Sequence, residues 1–207
     1  FHLSQNANMW RMTGDFWDEW SKLHAMFERC YAWQEYVQPG AWPDCDMLPL
    51  GRIQLTEELP EYRARYTRFT HDEQITMMTL WGIFRSPLMM GGEMRENDEF
   101  TLSLLQNREL IDMLKSSNGA RQFKREEVDG KGEIIWTSNG ESCKYVALFN
   151  TDDKEREISF NITDISMGGV KYSVHDMWKH EEHTVTDGEF SADVNSHGAR
   201  LFKITLK

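Results

Sequence analysis

A chain of 207 residues, 40% hydrophobic and 12% aromatic, has the material for a sizeable core, as one large domain or two small ones. Its 34 acidic against 23 basic side chains leave a formal net charge of −11, which repels phosphate backbones and argues against nucleic acid as a partner. No apolar run reaches the ~18 residues of a membrane-spanning helix, so no membrane partner is expected, and three widely spaced cysteines make no disulfide framework.

Residues 1–118 alternate short apolar runs with longer helical patterns. Met9 to Gly14 is the first strand candidate. Trp17, Trp20, Leu23, Phe27, Cys30 and Tyr31 then recur at three- and four-residue steps, which predicts one face of an amphipathic helix closing near Pro39-Gly40. Gly40 to Leu48 is the second strand candidate. Pro49 to Phe69 is a long charged connection carrying Arg52, Arg63, Arg65 and Arg68. It reads either as a loop over a pocket or as a solvated insertion. Thr70-His71-Asp72-Glu73 is a capping box and starts a helix whose inner face is Ile75, Met78 and Trp81, ending at Ser86-Pro87. Pro87 to Gly92 is a third strand candidate. A last helical stretch runs from Asp98 to Lys115 with a break near Asn107.

Beyond the turn-rich Ser116-Ser117-Asn118-Gly119 the pattern changes, which sets an expected division into 1–118 and 119–207. Residues 132–136, 145–150, 157–162, 170–174 and 200–206 read as strands. Asp129-Gly130, Asn139-Gly140, Gly168-Gly169 and Asp187-Gly188 are the turn pairs between them. An antiparallel β-sandwich is expected there. Trp136, Tyr172 and Trp178 are either its core or a sugar-stacking surface, which would make the chain a non-catalytic carbohydrate-binding or structural protein.

Strand–helix alternation in the front part implies a parallel sheet with helical crossovers. Three such units cannot close a (β/α)₈ barrel, which takes eight strands and ~250 residues, but they fit the C-terminal part of one. The expected fold is therefore α/β: the end of a TIM barrel followed by an all-β sandwich. In such barrels the active site lies at the C-terminal ends of the strands. Asp15, Asp44, Asp46 and Glu93 each follow a strand candidate. Paired carboxyl groups are what glycoside hydrolysis requires: one protonates the leaving oxygen and later activates water, and in retaining enzymes the other attacks. Asp15 stands beside Trp10 and Arg11, whose guanidinium can clamp a carboxylate or a sugar hydroxyl. An aspartate after glycine equally serves to cap a helix.

The motif Trp10-Arg11-x-x-x-Asp15-x-x-Asp18-x-Trp20 resembles the segment after the sixth barrel strand of glycoside hydrolase family 27, the α-galactosidase and α-N-acetylgalactosaminidase family. Gly40-Ala41-Trp42-Pro43-Asp44-Cys45-Asp46-Met47-Leu48 resembles its seventh-strand segment, with Cys45 where the family usually has proline. Thr70-x-x-Glu73-Gln74, Leu80-Trp81 and Ser86-Pro87-Leu88 resemble its next helix and strand. Residues 146–150 and His197-Gly198 are similar to parts of its C-terminal β-domain. The resemblance spans nearly the whole chain. It implies a retaining α-glycosidase acting on terminal α-D-galactosides of oligosaccharides or glycoconjugates, with no cofactor. It assigns the acid/base role to Asp15 and sugar contact to Arg11, with Trp10 and Trp42 as apolar walls. Asp44, Asp46 and Asp18 become supporting groups. The family's nucleophile follows its fourth strand and has no match here. The native protein is thus expected to be longer, with the missing part of the barrel as partner of this one. The compartment is open, with a lean to secreted, periplasmic or lysosomal through the resemblance alone. No metal is expected. His71, His175, His180, His183 and His197 are dispersed, and His180-Glu181-Glu182-His183 lacks the helical i, i+4 pair of a zinc protease.

Overall fold

The computed structural model describes residues 2–53, 64–165, 167–186 and 188–207. Residues 54–63 of the long connection, including Arg63, and Asp187 of one expected turn lie outside them. A short helix, α1 (His2–Asn6), precedes β1 (Met9–Arg11), which pairs in parallel with β2 (Trp42–Asp44). A parallel bridge from Leu48 to Met90 adds a third segment in the same sense. Between these run α2 (Trp20–Trp33) and α3 (His71–Phe84), and after Met90 come α4 (Glu99–Leu105) and α5 (Arg108–Ser116). The expected long connection opens and closes on a two-residue ladder, β3 (Arg52–Ile53) against β4 (Arg65–Tyr66).

Local chemistry sets the helix ends. Thr70 Oγ1 accepts from the Glu73 amide at 3.2 Å while Glu73 Oε2 accepts from the Thr70 amide at 2.9 Å, a closed capping box. The break near Asn107 is a cap: its Oδ1 accepts from the Leu110 amide at 3.0 Å and starts α5. α2 begins at Trp20, so Trp17 is outside it, and Tyr31 is exposed rather than inward. α3 departs from the one-faced expectation. Eleven of its fourteen residues are buried, because it is sandwiched between the parallel strands and the β-domain.

That domain is a six-stranded antiparallel sheet and a two-stranded one. The large sheet has the order β10 (Glu181–Thr186), β9 (Lys171–Asp176), β12 (Ala199–Leu206), β7 (Lys144–Asn150), β6 (Lys131–Asn139), β5 (Asn118–Val128). The small one is β11 (Glu189–Val194) with β8 (Arg156–Asn161). Along β7, Tyr145, Ala147 and Phe149 join the core shared with the helices, while Val146 and Leu148 face the small sheet. This is the two-residue period of a strand. Both faces of the large sheet are covered, which is why its central strands read as continuous apolar runs. Trp136 and Tyr172 are fully buried in these cores. Trp178 donates its indole N–H to Thr79 Oγ1 at 2.8 Å. The sugar-stacking alternative loses its surface for Trp136 and Tyr172, while Trp178 is half-buried with its indole N–H engaged by Thr79. One hydrophobic cluster runs from Phe16 through α3 to Leu201, so the barrel segments and the sandwich share a core.

Three strands escape the pattern reading. β5 is mostly exposed, β10 has one buried residue in six, and β11 is short and polar on one face. None of the three has the continuous apolar run of the central strands: β5 and β10 have a single buried residue each, and β11 has only Phe190 and Val194.

Candidate active site

The parallel register places Arg11 opposite Asp44 at the C-terminal ends of β1 and β2, and Trp42 opposite Met9 at their starts. The ladder continues one step, with the Met12 amide donating to the Asp44 carbonyl at 2.9 Å. The chain then turns sharply at Asp46, whose φ of 78° is left-handed. Aspartate tolerates that region better than most residues, and here its surroundings hold it there. Its amide donates to Asp44 Oδ1 at 2.9 Å, its Oδ2 accepts from the Phe16 amide at 2.8 Å, and its carbonyl accepts from the Trp81 indole at 3.1 Å. A fixed carboxylate is thereby aimed at the loop after β1.

Arg11 bridges that carboxylate to Asp15. Its Nη2 donates to Asp15 Oδ1 at 2.8 Å, its Nη1 lies 3.5 Å from Asp46 Oδ1, and its Nε donates to the Thr13 carbonyl at 3.0 Å. The guanidinium is held further into its charged form by the Asp15 hydrogen bond and the Asp46 charge. Asp15 itself is 75% exposed, at the edge of a shallow hollow shared with Lys22 and Arg29 of α2. Burial, aided by the charge of Asp46, lifts the Asp44 carboxyl above the ordinary range against the pull of the Asp46 amide and Arg11.

Asp18 is a different kind of group. Its side chain is wholly buried and accepts from Arg65 Nη2 at 2.8 Å, from Arg65 Nη1, and from the Arg68 amide at 2.6 Å. Burial raises the Asp18 carboxyl, but these donors outweigh it and leave it below the usual value. The pair ties the base of the long connection to the loop after β1. On the other side Arg52 accepts, through its carbonyl, the Glu93 amide at 2.7 Å. Glu93 is bound in turn by the Arg95 side chain and amide, which pull it down to about 2. Arg65 and Arg52, at the two described ends of the connection, thus tie it to the loop after β1 and to the loop after Met90.

The structure brings together Arg11, Asp15, Asp44 and Asp46, with Asp18 beneath them in the same loop. It does not bring Trp10 or Trp42 to the mouth. Trp10 is 6% exposed and packs on Trp33 at 5.5 Å between ring centres, because alternation along β1 sends it to the side opposite Arg11. Trp42 sits at the start of β2, its ring beneath the Arg85 guanidinium at 4.7 Å. Arg85 also donates to the Leu114 carbonyl at 2.9 Å and so caps the end of α5. Both tryptophans are packing groups here, which corrects the expectation of apolar pocket walls. Sequence reasoning passed over Ser86, whose Oγ accepts the Cys45 amide at 2.9 Å, and the meeting of Cys30 and Cys45, sulfurs 3.7 Å apart as free thiols. Residues so far apart in the chain give no local signal.

Comparison with known proteins decides what this arrangement descends from. The family described as α-galactosidase A matches residues 1–116, and the α-galactosidase C-terminal β-sandwich domain matches residues 131–204. The chain belongs to the α-galactosidase family, glycoside hydrolase family 27. Its fold is that of the family, a TIM-barrel part followed by a C-terminal β-sandwich. A β-L-arabinopyranosidase of family 27 from Geobacillus stearothermophilus, solved with arabinose, superposes with a TM-score of 0.91 at 44% identity, over 99% of this chain and 47% of that one. The α-galactosidase of Cyamopsis tetragonoloba is 27% identical over 200 residues, 96% of this chain and 45% of that protein. α-Galactosidase I of Mortierella vinacea shares the fold, with a TM-score of 0.78 at 20% identity, over 99% of this chain and 55% of that one. The chain thus spans about half the length of the curated relatives it matches.

Proposed function

We propose that the protein carrying this chain is a retaining glycosidase that hydrolyses terminal α-D-galactosides, and that this chain supplies the proton-transfer side of its site. Asp15 protonates the departing glycosidic oxygen and then takes a proton from water as the glycosyl–enzyme is hydrolysed. Arg11 positions Asp15 and offers its remaining N–H groups to a sugar hydroxyl. Asp46 holds Arg11, Asp44 holds the turn at Asp46, and Asp18 holds the loop through Arg65. The attacking carboxylate belongs to polypeptide outside this chain. The observation that carries the reading is a single guanidinium shared between Asp15 and Asp46 at the C-terminal ends of parallel strands, where barrel enzymes keep their chemistry.

The substrate is an oligosaccharide or glycoconjugate bearing a galacto-configured ring. A second specificity has a specific motive. The similar Geobacillus enzyme is named for β-L-arabinopyranosides, whose ring is that of an α-D-galactoside without the exocyclic hydroxymethyl group. Comparing kcat/KM on the 4-nitrophenyl α-D-galactoside and β-L-arabinopyranoside separates the two readings.

The acid role has its own test. In the whole protein, Asp15→Ala should reduce glycosylation from a natural galactoside by at least about 100-fold. Loss should be much smaller with an activated leaving group that departs without protonation. Equal losses on both substrates would remove Asp15 from the acid role.

A further inference from the structure

Away from the rim, at the junction of α5 with the large sheet, one group among the described residues brings three metal-ligating side chains together. Glu109, His175 and His180 each offer an atom, and the three atoms lie within 4.8 Å of one another. His175 Nε2 is 2.7 Å from Glu109 Oε2, and His180 Nδ1 is 3.0 Å from Glu109 Oε1. We propose that Glu109, His175 and His180 form a binding site for a divalent transition-metal ion, zinc first, that clips the barrel helix α5 to the β9–β10 hairpin.

The donor set fits that ion. Two imidazoles and one carboxylate suit zinc, and an exposed fourth position is left for water. Zinc holds nitrogen at about 2.0–2.1 Å and oxygen at about 2.0–2.2 Å, so neighbouring ligands in a tetrahedron stand roughly 3.4 Å apart. The two Glu109 contacts, 2.7 and 3.0 Å, are somewhat shorter than that spacing, and small rotations of surface side chains open them to it.

The surroundings add a second, independent feature. The other nitrogen of His175, Nδ1, lies 3.0 Å from Glu182 Oε2. A carboxylate on the far ring nitrogen holds the ring plane and keeps Nδ1 as a donor, so that an ion arriving at the site would replace the Nε2 proton that now bonds Glu109 Oε2. This is the outer partner that metal-bound histidines usually have. The backbone places these groups by register, since Glu182 stands opposite His175 across the β9–β10 ladder. His180 occupies the connecting turn with a left-handed φ of 56°. That unusual backbone returns its side chain toward Glu109 and is stabilised by the His180 amide donating to the Asp176 carbonyl at 2.8 Å. Lys203, opposite His175 on β12, borders the hollow and must swing aside or neutralise Glu182.

The ligands are 66 and 71 residues from Glu109 in the chain. A metal there joins distant segments and stabilises the native state by mass action. The site is separate from the carboxylates proposed for glycoside cleavage, so its test does not depend on activity.

The test is zinc titration of the metal-free whole protein by calorimetry, with cobalt as a spectroscopic substitute. Wild type is expected to bind one equivalent tighter than about 10 µM at pH 7.5, with a higher thermal midpoint and cobalt bands typical of tetrahedral coordination. His175→Ala and His180→Ala should each weaken that equivalent at least about 10-fold. His183→Ala, an exposed histidine on β10 outside the cluster, should leave it unchanged. Lowering the pH to 5.5 should release the metal as the imidazoles protonate. No zinc bound in this range, or an equivalent that survives both ligand substitutions, overturns the proposal.

Discussion

The Asp18–Arg65 pair allows a stability prediction worked from its geometry. Asp18→Ala removes a carboxylate with no exposed side-chain area that accepts from both Arg65 terminal nitrogens and the Arg68 amide. Hydrogen bonds to charged groups contribute about 1.5–3 kcal/mol each, but two terms reduce the sum. The wild-type carboxylate has lost its hydration, and Arg65 is 29% exposed and regains water when its partner goes. Breaking a buried pair by removing one member costs about 3–5 kcal/mol, so the lower end, about 3 kcal/mol, is expected. For a protein of this size that is a fall of roughly 6–12 °C in thermal midpoint, and proportionally less for a longer chain. Asp18→Asn keeps the shape and one acceptor and should lose about half as much. The pH dependence has a definite sign. The native carboxyl lies below its ordinary value, so its stabilisation is complete above the unfolded value of about 4 and is lost as the pH falls through the native one. Urea denaturation of wild type, Asp18→Ala, Arg65→Ala and the double variant measures the coupling directly. A cost under about 1 kcal/mol for Asp18→Ala, or a gap between wild type and Asp18→Asn that widens below pH 4, refutes the reasoning.

Arg11→Lys keeps a positive charge but loses the fork that spans Asp15 and Asp46. It should lower kcat/KM by about 10- to 100-fold with little change in urea midpoint. Thr70→Ala opens the capping box of α3 and should cost about 1 kcal/mol, read as a lower urea midpoint at unchanged slope. Gly92→Ala would set a Cβ 2.0 Å from the Leu50 carbonyl oxygen, so the loop after Met90 must shift. Destabilisation of about 2 kcal/mol or more is expected, and a variant of wild-type stability would show that this contact is not needed.

Much of this architecture was legible because its cause is local. A capping box needs only Thr70 and Glu73, and the break between α4 and α5 needs only Asn107 and the Leu110 amide. Inner strands such as β7 and β12 announced themselves because both of their faces are buried. The edge strands β5, β10 and β11 did not, because one side of each meets water and leaves too few apolar residues for a continuous run. The candidate site was legible in part. Arg11, Asp15 and Asp46 meet in the structure because Arg11 ends β1 and both aspartates follow strands. Trp10 and Trp42 were read as pocket walls because composition does not say to which side of a three-residue strand a ring points.

The linear order of side chains determined where helices start, where strands run through the core, and which carboxylates follow strand ends, because those outcomes depend on contacts within a few residues. Only packing in three dimensions decided that Trp10 faces α2, that Arg65 reaches Asp18 across 47 positions, and that Glu109 meets His175 and His180. Each of those contacts joins segments that share no local pattern. Their proximity is set by the shared core that α3 forms between the parallel strands and the large sheet.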